Sequence, residues 1–455
     1  MRGLILMLLA GLLLGLIGLT YLRCEPESPI IRAPESLVIG KAPREIRIEV
    51  EDAGSGLRQI QAKLRHAGGE AEMAARFFPG KLLSGSDESR AELVFQVDAE
   101  ALSLPEGEAF LDIAARDWSW RRWLAGNETL HTTPVRIDLR APRVFVDSGL
   151  TYIRRGGAAA VVYSLDEAAS RDGVLVGEAF FPGFPFPVAG ASPPEDRAGA
   201  GKRFALFAIP RDAGETPKVR VIGEDEAGNQ SVATFPVRVQ ERAFEDVRIN
   251  LPATFLENKV PELADKVGID LGEGAVAAFQ KINTEVRAAN EVRLAEIIAS
   301  SSNGILWRGA FRQMRNSAVT SRFAEHRTYY VSGEQVSEAI HYGYDLASTA
   351  LAPITAANAG RVVFADELGI YGNCVVLDHG LGLSSLYAHL SRIDVAVGDE
   401  VEKSQELGRS GATGLAGGDH LHFAIMVAGT YVDPKEWWDP RWVRDHIEAR
   451  LKPAP

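Results

Sequence analysis

Histidines are unevenly distributed along this 455-residue chain and gather towards its C-terminal end. Five of the nine histidines lie between His341 and His422. Four of these five fall in three short patterns: His341-Tyr-Gly-Tyr-Asp345, Tyr387-Ala-His389-Leu390 and His420-Leu-His422. Imidazole nitrogens and carboxylate oxygens bind zinc well, and imidazole also transfers protons near neutral pH. The patterns therefore indicate a metal site with acid–base groups beside it.

The pattern His420-Leu421-His422 is typical of a β-strand. Side chains two residues apart on a strand face the same way, so both imidazoles can point into one cleft while Leu421 points into the core. A catalytic zinc site typically uses three protein ligands and leaves one position for water. The spacing alone does not decide which of the two histidines would be a ligand.

The three patterns, with Gly411-Ala-Thr-Gly414 ahead of the last, resemble the lysostaphin-type family of zinc peptidoglycan endopeptidases. That family has the signature H-x-x-x-D, Y-x-H-L and H-x-H in the same order, and the resemblance covers roughly residues 320–440. It implies an antiparallel β-sheet metallopeptidase domain over residues 301–445, with peptidoglycan as the substrate. It further implies one Zn²⁺ per chain and these site residues: His341, Asp345 and His422 as metal ligands, and His389 and His420 as catalytic residues.

One position departs from the family pattern. Asp419 follows Gly417 and Gly418, where members commonly have a small residue, glycine and proline before the histidine. We expect Asp419 either to change the geometry of this loop or to hydrogen-bond a nearby imidazole. All ligand positions are retained, which favours a working endopeptidase that remodels the cell wall. The alternative is a zinc-binding but catalytically silent scaffold or regulator of other wall hydrolases.

The N-terminus carries an almost unbroken apolar run from Leu4 to Leu22. This length is close to the ~20 residues that a helix needs to cross a bilayer. The apolar region of a cleaved signal peptide is usually shorter, ~7–15 residues. We therefore expect residues 1–24 to be an uncleaved transmembrane anchor, with a cleaved signal as the alternative. Because peptidoglycan lies outside the cytoplasm, the anchor would sit in the inner membrane and hold the catalytic domain in the periplasm.

Residues 35–140 and 141–240 consist of short alternating segments and resemble one another. Each contains an Ala-Gly-Asn turn after an acidic residue and a last strand with Pro-Val-Arg, at Ala125–Asn127 and Pro134–Arg136 and again at Ala227–Asn229 and Pro236–Arg238. These features predict two immunoglobulin-like β-sandwich modules. A spacer role is favoured for both modules, and binding of a protein partner or of the wall is the alternative.

Residues 245–300 change to helix-forming composition. Apolar residues recur three or four positions apart, at Val276, Phe279, Ile282 and Val286. We predict a helical connector of one or two helices, which packs on the catalytic domain, covers its cleft or only connects. The predicted fold is therefore mainly β, in the order transmembrane helix, two sandwiches, helical connector and catalytic sheet.

The overall composition is that of a modular globular protein. A chain of this length exceeds the ~250–300 residues that one hydrophobic core supports. The net charge of −12 disfavours nucleic acid as a partner. Cys24 and Cys374 are the only cysteines, so the sequence offers neither a disulfide framework nor a cysteine-based zinc site.

Overall fold

A computed structural model describes residues 2–187 and 199–452. The chain divides into two compact units, Met1–Ala141 with Glu224–Gln230, and Pro142–Gly223 with Ser231–Pro455. Strands predominate over helices in the described residues, which confirms the mainly β prediction.

Unit 1 begins with helix α1, Arg2–Arg23. Its stretch Leu4–Tyr21 is long and apolar enough to cross a membrane, and large side chains such as Leu12 are exposed. The length and composition of helix α1 are those expected of a membrane anchor or of a signal sequence. That helix α1 is an uncleaved anchor remains a prediction.

The rest of unit 1 is built from two β-sheets. The strands are Ile30–Arg32 (β1), Leu37–Ile39 (β2), Arg44–Glu51 (β3), Leu57–His66 (β4), Gly69–Phe77 (β5), Arg90–Val97 (β6), Gly107–Asp117 (β7) and Glu128–Ile137 (β8). One sheet has the order β1-β3-β6 and the other β2-β8-β7-β4-β5. Exposed and buried residues alternate along β6, as expected for a strand with one face on a core. The more specific immunoglobulin-like assignment of residues 35–140 remains a prediction.

Unit 2 starts with further short strands. They are Val144–Val146 (β9), Thr151–Arg154 (β10), Ala158–Leu165 (β11), Arg171–Val176 (β12), Ala179–Pro182 (β13), Phe184–Pro185 (β14), Gly201–Ala208 (β15), Val219–Glu224 (β16), Gln230–Ala233 (β17) and Val237–Gln240 (β18). They form sheets of order β14-β15-β11-β9 and β13-β12-β16-β17, and β10 pairs with β18.

The repeated Ala-Gly-Asn turn has a structural cause. The side-chain amide of Asn127 donates to Asp117 Oδ2 at 2.8 Å, and that of Asn229 donates to Asp225 Oδ2 at 2.8 Å. In both turns the backbone N–H of the asparagine also donates to Oδ1 of the same aspartate. The repeat seen in the sequence therefore encodes the same buried turn twice.

The segment from 245 to 300 begins with a strand, Asp246–Asn250 (β19), which differs from the helix predicted there. β19 pairs in parallel with a strand of the C-terminal domain, from Glu325 to Val331. The helices that follow are Val260–Val267 (α2), Ala275–Lys281 (α3) and Arg287–Ile298 (α4), with π-helical turns at Phe255–Lys259 and Ile282–Val286. We refer to residues 252–298 as the helical segment.

The C-terminal domain contains a main sheet whose strand pairs are antiparallel, and short helices follow its last strand. The strands are Ala318–Ser321 (β20), Glu325–Val331 (β21), Glu334–His341 (β22), Tyr344–Ala347 (β23), Pro353–Thr355 (β24), Gly360–Glu367 (β25), Asn373–Gly380 (β26), Leu383–Leu390 (β27), Arg392–Ile393 (β28), Glu400–Val401 (β29), Glu406–Arg409 (β30), Leu421–Val427 (β31) and Thr430–Val432 (β32). The main sheet has the order β20-β23-β31-β27-β26-β25-β29. Helices Pro434–Trp438 (α5) and Pro440–Trp442 (α6) follow.

The two faces of this sheet pack on different parts of unit 2. Phe423 and Ile425 of β31 belong to an apolar core shared with the preceding strands, including Phe184 and Phe204. Ala424, Met426 and their neighbours on the opposite face pack against the helical segment, including Phe279. The sequence predicted residues 141–240 as a module of their own, whereas in the structure these strands share their core with the catalytic sheet.

Glu436 of α5 is a buried carboxyl group that accepts a hydrogen bond from Ala158 N at 3.0 Å. Burial raises its pKa to about 7. A carboxyl whose pKa is raised in the folded state stabilises the fold below its unfolded pKa, and this contribution is lost as pH rises through 7. The amide of Glu436→Gln does not titrate and so does not show this loss. Between pH 5 and pH 8 we therefore expect the free energy of unfolding of the wild type to fall by roughly 2 kcal/mol more than that of Glu436→Gln.

Urea unfolding of the full chain in detergent at both pH values measures this difference. The exposed Glu402 provides a matched control, because Glu402→Gln removes the same charge from a solvated position. An equal pH response of the wild type and Glu436→Gln would contradict the prediction.

Candidate metal centre

Three donor atoms meet at one point of the C-terminal domain. His341 Nε2 lies 2.9 Å from Asp345 Oδ1 and 2.9 Å from His422 Nδ1, and the latter two atoms are 3.0 Å apart. All three residues are buried, and together they form a group that could hold a metal ion. We refer to His341, Asp345 and His422 as the donor group.

The strands bring the donor group together. His341 ends β22, and Asp345 lies on β23 directly opposite His422 on β31. Directly paired residues of antiparallel strands project from the same face of a sheet. The next residue along β31, Phe423, points to the opposite face and enters the core.

The chemistry of the donor atoms fits a cation. His341 Nδ1 donates to the carbonyl oxygen of Arg322 at 2.9 Å, so its Nε2 carries a lone pair. That lone pair faces Asp345 Oδ1, which is also an acceptor, at a distance where two acceptors repel. A cation bound by the donor group removes this repulsion. The bond to the Arg322 carbonyl is the kind of outer contact that orients metal-ligating histidines.

The protonation states of the donor group suit metal binding. Burial chiefly lowers the pKa of His422, to about 4, so its imidazole is neutral at neutral pH. Burial opposes ionisation of Asp345, but its electrostatic interaction with His341 and its contacts with the imidazoles of His341, His420 and His422 outweigh burial and hold its pKa well below the usual value. A neutral imidazole and an ionised carboxylate are the forms that bind zinc.

Arg327 supports Asp345 from the other side. Its Nη2 donates to Asp345 Oδ2 at 2.9 Å, so Oδ1 alone faces the two imidazoles. The guanidinium group also lies 3.3 Å from the buried Glu325. No pattern in the sequence pointed to Arg327, because it lies on β21, well before His341.

His420 and His389 stand beside the donor group. His420 Nδ1 donates to the Gly418 carbonyl at 2.8 Å, and its Nε2 lies 3.6 Å from Asp345 Oδ1. His389 Nδ1 donates to the Thr413 carbonyl at 2.9 Å. The two imidazole rings are 4.8 Å apart. In both residues the carbonyl fixes the tautomer and leaves Nε2 for the cavity.

The backbone at His389 is unusual. Ala388 pairs with His422, so in a regular strand His389 would point to the opposite face of the sheet. Its φ of 65° lies in the left-handed region, which breaks this alternation and brings the ring to the same cavity as His420. Such strain in a residue other than glycine costs about 1–3 kcal/mol and is concentrated at functional sites.

The carboxylate of Asp419 binds groups of the neighbouring loops. Its Oδ1 accepts a hydrogen bond from Ser410 Oγ at 2.6 Å, and its Oδ2 accepts one from Leu351 N at 2.9 Å. Ser410 Oγ in turn accepts from Ala352 N. Of the two expectations from the sequence, these contacts match the one for loop geometry. Asp419 therefore fixes the turn immediately before His420.

Gly343 is required by close packing, a role that was not predicted from the sequence. A Cβ at this position would lie 2.6 Å from His422 Cε1 and 2.7 Å from the Phe423 carbonyl oxygen. A larger residue would therefore displace the imidazole of His422. The signal was present in the spacing, since this glycine lies between His341 and Asp345.

A cavity of about 280 Å³ joins these residues. It is lined by the donor group, His389 and His420 on one side and by Pro252, Phe255 and Phe279 of the helical segment on another. Lys259 Nζ donates to the Ala412 carbonyl at 2.8 Å, next to the loop that holds His389. The helical segment therefore both packs on the catalytic sheet and forms part of the cavity wall.

We expect Arg327→Ala to weaken zinc binding about 10–100-fold, the usual cost of removing a group that orients a metal ligand. The variant frees Asp345 Oδ2, so that the carboxylate can rotate away from the two imidazoles. Competition with a chromophoric zinc chelator measures the affinity. Arg312→Ala, which removes an exposed arginine bound to Ser404, is the matched control. Equal zinc affinity in Arg327→Ala and the wild type would contradict the prediction.

Comparison with known proteins identifies the C-terminal region. Residues 339–434 match the model of Peptidase family M23. The peptidoglycan DD-endopeptidase ShyB of Vibrio cholerae is 34% identical over 124 residues, which are 27% of this chain and 27% of that protein. The DD-carboxypeptidase/endopeptidase Mpg of Neisseria meningitidis is 37% identical over 95 residues, which are 21% of this chain and 22% of that protein.

These matches span about a quarter of the length of the curated relatives. Among solved structures, the catalytic domain of lysostaphin from Staphylococcus simulans is 28% identical, and the match covers 29% of this chain and 98% of that domain with a TM-score of 0.24. Because this score is low, the assignment rests on the sequence matches. The C-terminal region of this chain, residues 339–434, is a lysostaphin-type peptidase domain of family M23.

Proposed function

We propose that this protein is a zinc-dependent endopeptidase that hydrolyses peptide bonds in the stem peptides or cross-links of peptidoglycan. The observation that carries the proposal is the donor group, whose atoms lie 2.9–3.0 Å apart in a cavity that also contains His389 and His420. The names of the relatives ShyB and Mpg support the reaction and the substrate class.

The donor group would hold the zinc ion. Two imidazole nitrogens and one carboxylate oxygen are a donor set that zinc accepts in tetrahedral geometry, with a fourth position left open. A zinc ion held there would polarise the scissile carbonyl and would lower the pKa of a water molecule towards ~7. Arg327 and the Arg322 carbonyl keep two of the ligands in place.

His420 and His389 would handle protons and the developing negative charge. Their Nδ1 atoms are held by the carbonyls of Gly418 and Thr413, so each ring presents Nε2 to the substrate. An unprotonated Nε2 accepts the proton of the attacking water, and a protonated Nε2 donates to the oxyanion or to the leaving amine. Both histidines are therefore proposed as catalytic.

A second candidate is an enzyme whose helical segment restricts access to the cavity. Pro252, Phe255 and Phe279 line the same cavity as the donor group, which favours this candidate over a silent scaffold. In this form the chain binds zinc but cleaves slowly until the helical segment moves. The full chain should cleave peptidoglycan readily if the cavity is accessible, and slowly if the helical segment restricts access.

The proposed function also suggests where in the cell the chain lies and what helix α1 and unit 1 do. Relatives that act on the cell wall imply a location in the envelope. We propose that helix α1 anchors the chain in the inner membrane and that the catalytic domain works in the periplasm. The sandwich of unit 1 then acts as a spacer, with binding of a protein partner as the alternative.

Digestion of purified peptidoglycan by the full chain in mild detergent with zinc tests the proposal, with released muropeptides identified by mass spectrometry. We expect peptide-bond cleavage products that disappear on addition of a zinc chelator. A zinc-loaded, folded chain that releases no such products overturns the proposal of a freely accessible enzyme. Products that appear only with Phe255→Ala, which opens the cavity wall, would support the restricted enzyme instead.

A further inference from the structure

Two loops of unit 1 expose an apolar and basic surface at the end of helix α1. We call residues 81–83 and 121–124 the juxtahelical surface. Its apolar side chains are unusually exposed: Trp123 by 99%, Leu83 by 63%, Leu82 by 50% and Leu124 by 46%. Lys81, Arg121 and Arg122 are exposed beside them. Such a combination of exposed tryptophan, leucine and basic residues is costly in water and calls for a partner.

The backbone holds Trp123 in this exposed position. Arg122, Trp123 and Leu124 have φ values of 51°, 58° and 68°, three consecutive left-handed residues of which none is glycine. The strained turn is tied down by Arg58, whose Nη1 donates to the Leu124 carbonyl at 2.9 Å. Strain that the surrounding structure maintains is a mark of functional segments.

Hydrogen bonds fix this surface to the end of helix α1. Trp120 N donates to the Arg23 carbonyl at 2.8 Å, and Arg23 Nη2 donates to the Trp118 carbonyl at 2.9 Å. Trp120 Nε1 donates to the Leu82 carbonyl at 2.7 Å, which joins the two loops. Both loops therefore lie where the apolar stretch Leu4–Tyr21 ends.

We propose that the juxtahelical surface binds the surface of the phospholipid bilayer that helix α1 spans. Trp123, Leu82 and Leu83 enter the interface between headgroups and acyl chains, where tryptophan is enriched in membrane proteins. Lys81, Arg121 and Arg122 pair with lipid phosphates. This contact fixes unit 1 against the bilayer, so that the chain does not pivot freely about its anchor. The inference rests on the proposed anchor and not on the proposed peptidase activity.

Quenching of tryptophan fluorescence by brominated lipids tests the contact. Helix α1 contains no tryptophan, so any quenching by brominated acyl chains comes from tryptophans outside the membrane span that touch the bilayer. In nanodiscs of zwitterionic and anionic lipid that contain the full chain, we expect quenching of the wild type. Trp123→Phe should remove roughly half or more of the quenched component, since this side chain lies at the interface.

Controls separate the possible failures. Trp442→Phe, at a half-buried position of the catalytic domain, should leave the quenching unchanged. Replacing Lys81, Arg121 and Arg122 together by glutamine should reduce quenching most in anionic discs. Equal quenching in the wild type and Trp123→Phe, or no quenching in either, would overturn the proposal and would leave a protein partner as the occupant of the surface.

A chain that does not co-elute with the discs would refute the proposed anchor as well. Peptidoglycan digestion by each variant tests the peptidase activity separately.

Discussion

The variant His341→Ala is expected to lose both its bound zinc and its ability to cleave peptidoglycan. His341 Nε2 is the one atom within 2.9 Å of both other donors, so its removal leaves Asp345 and His422 as a two-ligand site. Zinc supplies several kcal/mol of transition-state stabilisation in such enzymes, and each 1.36 kcal/mol is tenfold in rate. The rate of cleavage should therefore fall by about 10³-fold or more.

The measurement combines zinc content, by mass spectrometry of the metal, with the yield of muropeptides. His326→Ala provides the matched control, because His326 is a histidine of the neighbouring strand β21 that contacts Asp246 at 3.0 Å and lies outside the donor group. The control should keep its zinc and its rate. A zinc-free His341→Ala protein that still cleaves at the rate of the wild type would show that the donor group is not the catalytic centre.

The residues of the candidate site could be grouped from the sequence because their chemistry and order are local. The division between metal ligands and catalytic histidines came from the family resemblance and remains a prediction. His420 and His422 are two residues apart, and alternation along one strand suffices to place both in one cleft. His341 and Asp345 lie on successive strands joined by a tight turn. The cavity indeed contains all four of these residues and His389.

The supporting residues could not be identified in this way, because their roles depend on contacts distant in the chain. Arg327 reaches Asp345 from another strand, and nothing in its own neighbourhood distinguishes it from a surface arginine. The imidazole of His389, a residue with a left-handed backbone, is held by the Thr413 carbonyl, which lies 24 residues further along. Neither a motif nor a periodic pattern records such a contact.

The fold class followed from strand periodicity, but the packing between parts did not. Periodicity shows which residues of an element are apolar, and it does not show which other element covers them. Phe279 was correctly expected on the apolar face of a helix. That this face covers the catalytic sheet, and that Phe255 and Phe279 line the cavity, required the structure.

The variants His420→Ala and His389→Ala are expected to lose activity while they keep their zinc. Both rings lie beside the donor group without belonging to it, and His420 Nε2 is 3.6 Å from Asp345 Oδ1. A positioned group that transfers protons contributes about 10²–10⁴-fold to a rate. Each substitution should therefore lower kcat by about 10²–10⁴-fold with an unchanged zinc content.

The double variant decides whether the two histidines act together. Groups that act in one step show strongly non-additive effects, so the double variant should be little slower than the slower single variant. His446→Ala, at a histidine that stacks on Trp442 away from the cavity, is the control for the substitution itself. If either catalytic variant lost its zinc, that histidine would belong to the metal site, and the division between ligands and proton-transfer groups would have to be redrawn. Full zinc content with a large loss of kcat in both would place the proton transfers on the two imidazoles whose tautomers the Gly418 and Thr413 carbonyls fix.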